Sequence, residues 1–358
     1  MNLQKFLFSL AVALTCLSAC RTEKPNTAED LVRRLAEAAQ QGKMLYGHQD
    51  DLVYGHSWKV ESDGDAFARS DVQSVCGAYP AVVGFDLGGI ELGNEKNLDG
   101  VPFAWMRKAV QVHTARGGVV TFSWHPRNPL TGGDAWDVSD STVVRSVLEG
   151  GACAPLFQQW LGRAAAFLKT LDGIPVIFRP WHEHMGSWFW WGRNLCSEEE
   201  YVALFRYTVR FMQNAGVKNL VWAFSPNSEV TAEEYMSRYP GDDCVDIMGL
   251  DHYEGTYVPD PDAYYVEILR RDLAWLTPLA ASHGKVVALT ETGYEGIPNP
   301  RWWTDCLLAG VADYPVAYAL TWRNAHDRPG HFYAPYPGSA DSKNFLEFYH
   351  NEHTVFLP

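Results

Sequence analysis

The sequence is short of positive charge: 29 Lys and Arg stand against 43 Asp and Glu, a formal net charge of −14 over 358 residues. That balance argues against nucleic acid and against adhesion to anionic lipid headgroups. The apolar run Phe6 to Leu17 falls short of what a bilayer-spanning helix requires. Cysteine is scarce as well. Beyond Cys16 and Cys20 there remain Cys76, Cys153, Cys196, Cys244 and Cys306, whose spacings match no metal-binding motif. An odd number leaves at least one thiol free in any compartment, and the sequence assigns no pairs. Gly88-Gly89 lies in no phosphate-loop pattern and reads as a turn. No low-complexity linker or domain boundary interrupts the chain after its first thirty residues.

Aromatic residues, by contrast, are abundant: 13% of the chain, with 14 Trp. A core of this size does not need so many, so part of the excess is expected to line a surface, where indole and phenol rings stack on the flat faces of sugars.

Lys5 and the apolar run after it form a signal-peptide pattern. It ends in Leu17-Ser18-Ala19-Cys20, which resembles a bacterial lipobox, with an ordinary secretory peptide and an incidental cysteine as the alternative. Residues 1–19 are therefore expected to be a lipoprotein signal peptide and residues 20–28 a tether lipidated at Cys20. Residues 29–358 then form one catalytic domain. The stretch after Cys20 holds a single acid, Glu23, which points to a periplasm-facing anchor rather than the cell surface.

From residue 29 the apolar pattern alternates between short runs and helical stripes. Runs at Met44–Gly47, Ala81–Phe85, Val119–Ser123, Pro175–Phe178, Leu220–Phe224, Asp246–Leu250, Val286–Thr290 and Val316–Thr321 read as strands. Segments Glu29–Gln41, Phe103–Ala115, Leu156–Leu171, Glu198–Ala215, Asp262–Ser282 and Arg301–Ala309 carry helical periodicity. Eight strands alternating with helices predict an α/β fold, a single (β/α)8 TIM barrel with its active site at the C-terminal ends of the strands.

The residues that follow each run are polar or aromatic. They include His48 to Asp51, Asp86, Trp124-His125, Arg179 to Glu183, Ser225 to Ser228, Asp251 to Tyr253, Glu291 and Trp322 to Asn324. Glu183 ends the fourth run and Glu291 the seventh, and two carboxylates so placed are the equipment of a glycosidase. One must stay protonated near neutrality and the other ionised. Glu183, near Trp181 and Trp188, suits the acid; Glu291, within possible reach of Tyr253 or Arg323, suits the nucleophile. Trp124, Trp188 and Trp322 are expected to form an aromatic mouth. About half of Trp188 to Trp191 is expected to be buried, and Trp302-Trp303 to be packing. Asp50-Asp51 suits a cap, an ion pair or a substrate contact equally. His182 and His184 point to opposite faces of an extended segment and lack a third ligand, so no metal is expected there.

This pattern resembles clan A of the glycoside hydrolases and, more specifically, glycoside hydrolase family 26, mostly retaining β-mannanases. The resemblance rests on the segment Gly47 to His56, Phe122 to His125, Arg179 to Glu183 with Trp188, Gly249 to Tyr253, Thr290-Glu291 and Thr321 to Arg323. The pair His182-Glu183 carries the histidine this family places before its acid/base. The resemblance implies that Glu183 is general acid/base and Glu291 nucleophile, with His182 and Tyr253 orienting the carboxylates. It makes Trp322 the floor under the sugar, and His125, Trp188 and Arg323 neighbouring substrate contacts. It implies no metal and no cofactor. The expected partner is a mannan-type polysaccharide, cut by a monomer. A β-glucanase or xylanase on the same barrel is the nearest alternative. A non-catalytic glycan-binding lipoprotein would have no need of both glutamates.

Overall fold

The computed structural model describes residues 27–358. The expected signal peptide, Cys20 and most of the expected tether lie outside the described residues. Thr27 caps the first helix and Ala28 is already helical, so the last two residues assigned to the tether belong to the folded domain.

Eight parallel strands close into a barrel: β1 (Met44–Gln49), β2 (Val82–Asp86), β3 (Val119–Trp124), β4 (Val176–Pro180), β5 (Leu220–Phe224), β6 (Ile247–Glu254), β7 (Val286–Tyr294) and β8 (Val316–Thr321). Each pairs with the next, and β1 pairs with β8 from Leu45↔Tyr318 to His48↔Thr321, which removes both sheet edges. Around them run α1 (Ala28–Gln40), α2 (Phe103–Ala115), α3 (Ala154–Lys169), α4 (Glu198–Asn214) and α5 (Pro261–Ser282), with shorter helical turns between. The predicted TIM barrel is the observed fold.

Period-two alternation divides the strands between two cores. Leu45, Val82, Ile177, Val221, Ile247, Ala288 and Leu320 fill the barrel with Leu31, Leu35 and Ala39 of α1. Helix α1 therefore plugs the N-terminal end, each buried leucine contributing about 2 kcal/mol. Val83, Phe85, Val120, Phe122, Phe178, Met248 and Leu289 point outward beneath the helices.

The C-terminal segment, which carries no sequence motif, supplies a helix at Ser342–Tyr349 and a further strand, β9 (Thr354–Leu357). β9 pairs in parallel with Met44 and Leu45, beside the part of β1 that precedes its pairing with β2 at Gly47. Backbone groups at that notch are thereby paired rather than left open.

Candidate active site

At the end of β4 the chain turns sharply. Trp181 and Glu183 both have left-handed backbone, φ 57° and 51°, a conformation that non-glycine residues seldom adopt. The bend sends alternate side chains in different directions. Trp181 is fully buried against Trp124, Phe157, Trp190 and Trp191, with its indole N–H on Thr208. Glu183, half-buried, is anchored by its own N–H on the Ser225 carbonyl, 2.8 Å, and its Oε2 accepts the Trp188 indole N–H at 2.7 Å. His184 packs back on Tyr201 and Phe224, out of reach of a ligand set with His182.

Glu291 reaches the site through a break in the alternation of β7. Ala288 faces the barrel interior and Leu289 faces out, so a regular strand would turn Glu291 outward as well. Register against β6 shifts between Leu289 and Glu291, a β-bulge at Thr290 that resets the alternation. Thr290 Oγ1 donates to Asp251 Oδ1 at 2.6 Å, and Glu291 comes to face the interior opposite Asp251.

Two groups hold Glu291. Tyr253 donates its hydroxyl to Oε2 at 2.8 Å, and Arg179 donates Nη2 to Oε1. Arg179 also binds Asp251 at 2.7 Å and Ser225 at 3.2 Å, so one buried guanidinium sits between two carboxylates. Oxygens of Glu183, Asp251 and Glu291 lie within 4.8 Å of one another. Burial first, and the charge of Glu291 second, push Glu183 up to about 7, against the Trp188 hydrogen bond, which favours its ionised form. One carboxyl is thus set to hold its proton at neutral pH while the other is braced by a cation and a phenol.

A second network supports the floor. Asp86 Oδ2 meets His125 Nδ1 and Ser123 Oγ, each at 2.6 Å, and His125 Nε2 meets His182 Nε2 at 3.0 Å. Burial disfavours a charge on His125, but Asp86 outweighs it and raises its pKa above the usual value. Burial, then Arg179, keeps His182 neutral, which makes His125 the natural donor between the two rings. Trp136, half exposed at 49%, stacks on His125 with centroids 5.2 Å apart and planes 10° apart. Trp322 meets the same histidine edge-on at 6.5 Å.

Some sequence expectations change here. Trp124 is no part of the mouth: it is fully buried and bonds Glu91. Of Trp188 to Trp191 only Trp188 is exposed, at 43%, while Trp302 and Trp303 are packing as expected. His182 touches His125 and not a carboxylate. Arg323 does not reach Glu291. It binds Asp99 at 3.1 Å and Tyr54 at 3.2 Å, and Tyr54 in turn donates to Asp50 at 2.6 Å. Asp50 and Asp51 are both buried, Asp51 paired with His48 at 2.9 Å.

Sequence reasoning assigned no role to Arg179, Asp251, Asp86 or Trp136. The first three sit at strand ends, where the signal was present; Trp136 sits in a loop after β3, where it was not. A cavity of about 490 Å³ opens beside Glu183, lined by Trp188, Asn227, Glu229, Tyr253 and Tyr257 among others.

Residues 22–294 match the sequence profile of Glycosyl hydrolase family 26. A mannan endo-1,4-β-mannosidase of Bifidobacterium adolescentis is 32% identical over 333 residues, 86% of this chain; the chain spans about a third, 33%, of that relative's length. The solved structure of a family 26 β-mannanase from Bacteroides ovatus is 47% identical, with a TM-score of 0.87 over 92% of this chain and 94% of that one. The catalytic domain of an endo-β-1,4-mannanase from Bacillus sp. JAMB-750 is 32% identical, with a TM-score of 0.82 over 93% of each chain. With the profile match covering most of the barrel and its carboxylates, the chain belongs to glycosyl hydrolase family 26.

Proposed function

We propose that the chain hydrolyses β-1,4-mannosidic bonds by double displacement, cutting within mannan chains. The observation that carries the mechanism is the close approach of Glu183 and Glu291, whose oxygens lie within 4.8 Å. A direct attack on the sugar uses carboxyls about 5–5.5 Å apart, whereas inversion needs about 6.5–9.5 Å to admit a water. Family membership and the mannanase relatives support the substrate.

In the first step Glu183 protonates the glycosidic oxygen while Glu291 attacks C1, and a glycosyl ester forms on Glu291. Esterification removes the Glu291 charge that had raised Glu183. The Glu183 pKa then falls, and the same group becomes the base that takes a proton from water. Water attacks C1 and releases Glu291, so two inversions give net retention. Arg179 and Tyr253 keep Glu291 ionised and aimed; His125, with Trp322 against it, shapes the floor under the sugar.

Glu183→Ala is expected to keep measurable activity on aryl mannosides with good leaving groups and to gain activity with azide. Glu291→Ala is expected to lose activity on both aryl and polymeric substrates. Reversed behaviour would exchange the two roles. Proton NMR of the first product is expected to show the β-anomer; the α-anomer would rule out double displacement. Time-resolved products from galactomannan, glucomannan, lichenan and xylan test the substrate, and good cleavage of glucan or xylan with mannan intact would overturn it.

We further propose that the enzyme is exported and lipid-anchored at Cys20. Labelled palmitate is expected in the wild type and absent from Cys20→Ala; equal labelling of both would refute the anchor.

A further inference from the structure

Behind Tyr253, on the far side of the β6 end from the catalytic pair, lies a second convergence of ligand-type side chains. Glu254 is the last residue of β6, Asp262 lies in the first turn of α5, and Cys306 lies in the π-helical turn Trp303–Leu308 between β7 and β8. One donor atom of each lies within 4.8 Å of the other two. Their positions, 254, 262 and 306, form no linear motif. Glu254 is only 7% exposed and Cys306 not at all, while half-buried Asp262 leaves a path to solvent.

The hydrogen bonding is incomplete in a specific way. Glu254 Oε2 accepts the Trp302 indole N–H at 2.7 Å, but its Oε1 is buried with no partner. Asn299 Nδ2 donates to Asp262 Oδ2 at 2.7 Å and approaches Cys306 Sγ at 3.9 Å, and Asn299 Oδ1 is already taken by the Arg301 N–H at 2.8 Å. The charges acting on Glu254 are those of Asp262 and Asp260, both negative. Two carboxyl groups and a thiol, which burial and then Glu254 hold protonated, therefore face one another, and none of the surrounding donors reaches Glu254 Oε1. Two carboxyls this close are favoured by something positive between them, a shared proton or a metal ion. With the proton, burial first and the hydrogen bond shared with Asp262 second lift the Glu254 carboxyl to about 8.

We propose that Glu254, Asp262 and Cys306 bind one divalent ion of the zinc class, with water in the fourth position. A sulfur ligand beside two carboxylates suits zinc; calcium and magnesium would leave the sulfur idle and ask for more oxygens. Asn299 then acts as the outer partner that orients two of the ligands. Binding releases the carboxyl proton and the thiol proton, so affinity rises with pH. The ion ties the end of β6 to α5 and to the segment before β8, immediately after the tyrosine that holds Glu291.

The untagged full chain, stripped with EDTA and titrated with cobalt(II) at pH 7.5, is expected to take up one equivalent. A near-ultraviolet thiolate-to-cobalt charge-transfer band should appear, and zinc should displace it and raise the thermal midpoint. Cys306→Ser is expected to abolish the band, Asp262→Asn to abolish stoichiometric uptake, and Asn299→Ala to weaken affinity about tenfold. Cys76→Ser should leave all of these unchanged. No stoichiometric ion in the wild type, or uptake unaltered in Cys306→Ser and Asp262→Asn, would leave a shared proton only and overturn the site. Should Cys306→Ser fail to fold, X-ray absorption of the zinc-loaded wild type decides the matter: one sulfur in the zinc shell is expected, and a shell of nitrogen and oxygen alone refutes it.

Discussion

At the scale of single residues, the site works by pulling two like side chains apart in acidity. Glu183 and Glu291 are chemically identical, yet only Glu291 has a guanidinium and a phenol on its oxygens. Glu183 has one weak donor, Trp188, and the charge of Glu291 to keep it protonated. Because the Trp188 N–H favours the ionised form, Trp188→Phe should raise the Glu183 pKa and shift the basic limb of kcat/KM upward. A hydrogen bond of about 0.5–1.5 kcal/mol corresponds to about 0.4–1 pH unit. The absolute rate on polymer should fall as well, since an exposed stacking surface is lost. A pH profile of the variant on mannooligosaccharide tests this, and a basic limb that stays put or moves down would remove Trp188 from control of the acid.

At the scale of elements, the bulge in β7 is what makes the site possible, and it depends on a glycine. A Cβ on Gly249 of β6 would lie 2.6 Å from Thr290 Cγ2 and 3.2 Å from Ser225 Cβ. Gly249→Ala must push Thr290, the residue that holds Asp251 and precedes Glu291. We expect a loss of about 1–3 kcal/mol in stability from overpacking, together with a fall in kcat larger than the change in KM. Denaturant unfolding and steady-state kinetics measure the two; a destabilised variant with unaltered kcat would show that the bulge does not set the nucleophile. The strands themselves were legible in the sequence because each is an apolar run ending in polar or aromatic residues. The Thr290 bulge was not, since one extra residue leaves no trace in composition. Nor could Trp124 and Trp322 be told apart: both follow an apolar run, yet one turns into the helix layer and the other into the mouth. Arg179 was visible in the right place, but its partners come from β6 and β7, and sequence does not give distances across a barrel. β9 escaped because it is four residues long and pairs with the opposite end of the chain.

At the scale of the whole molecule, α1 and β9 close the N-terminal end of the barrel, and the ionisable groups concentrate at the open end or just behind the strands. Their burial ties stability to pH in two opposed ways. His113 and His252 are held down to about 4 by burial. Below about 6.5 the unfolded chain takes up protons that these rings refuse when folded, so stability drops as pH falls. Glu183 runs the other way. Between its ordinary value of 4.5 and its folded value of about 7, the folded chain keeps a proton that the unfolded chain has released. Unfolding therefore releases a proton, and stability drops as pH rises through that window. Asp50 and Asp251, raised by burial first, and His125, raised by Asp86 against its burial, contribute with the same sign. Above about pH 6.5 the two low histidines no longer contribute a slope and the raised groups do. Calorimetry of EDTA-treated enzyme should show the thermal midpoint falling from pH 6.5 to pH 8. Glu183→Gln, which has no proton to lose, should flatten the start of that fall and steepen the loss of stability between pH 6.5 and 4.5, where protonated Glu183 had opposed the histidines. A midpoint that rises over this range, or a Glu183→Gln profile parallel to the wild type, would mean that Glu183 is not protonated in the folded enzyme, and the general-acid role would lose its physical basis.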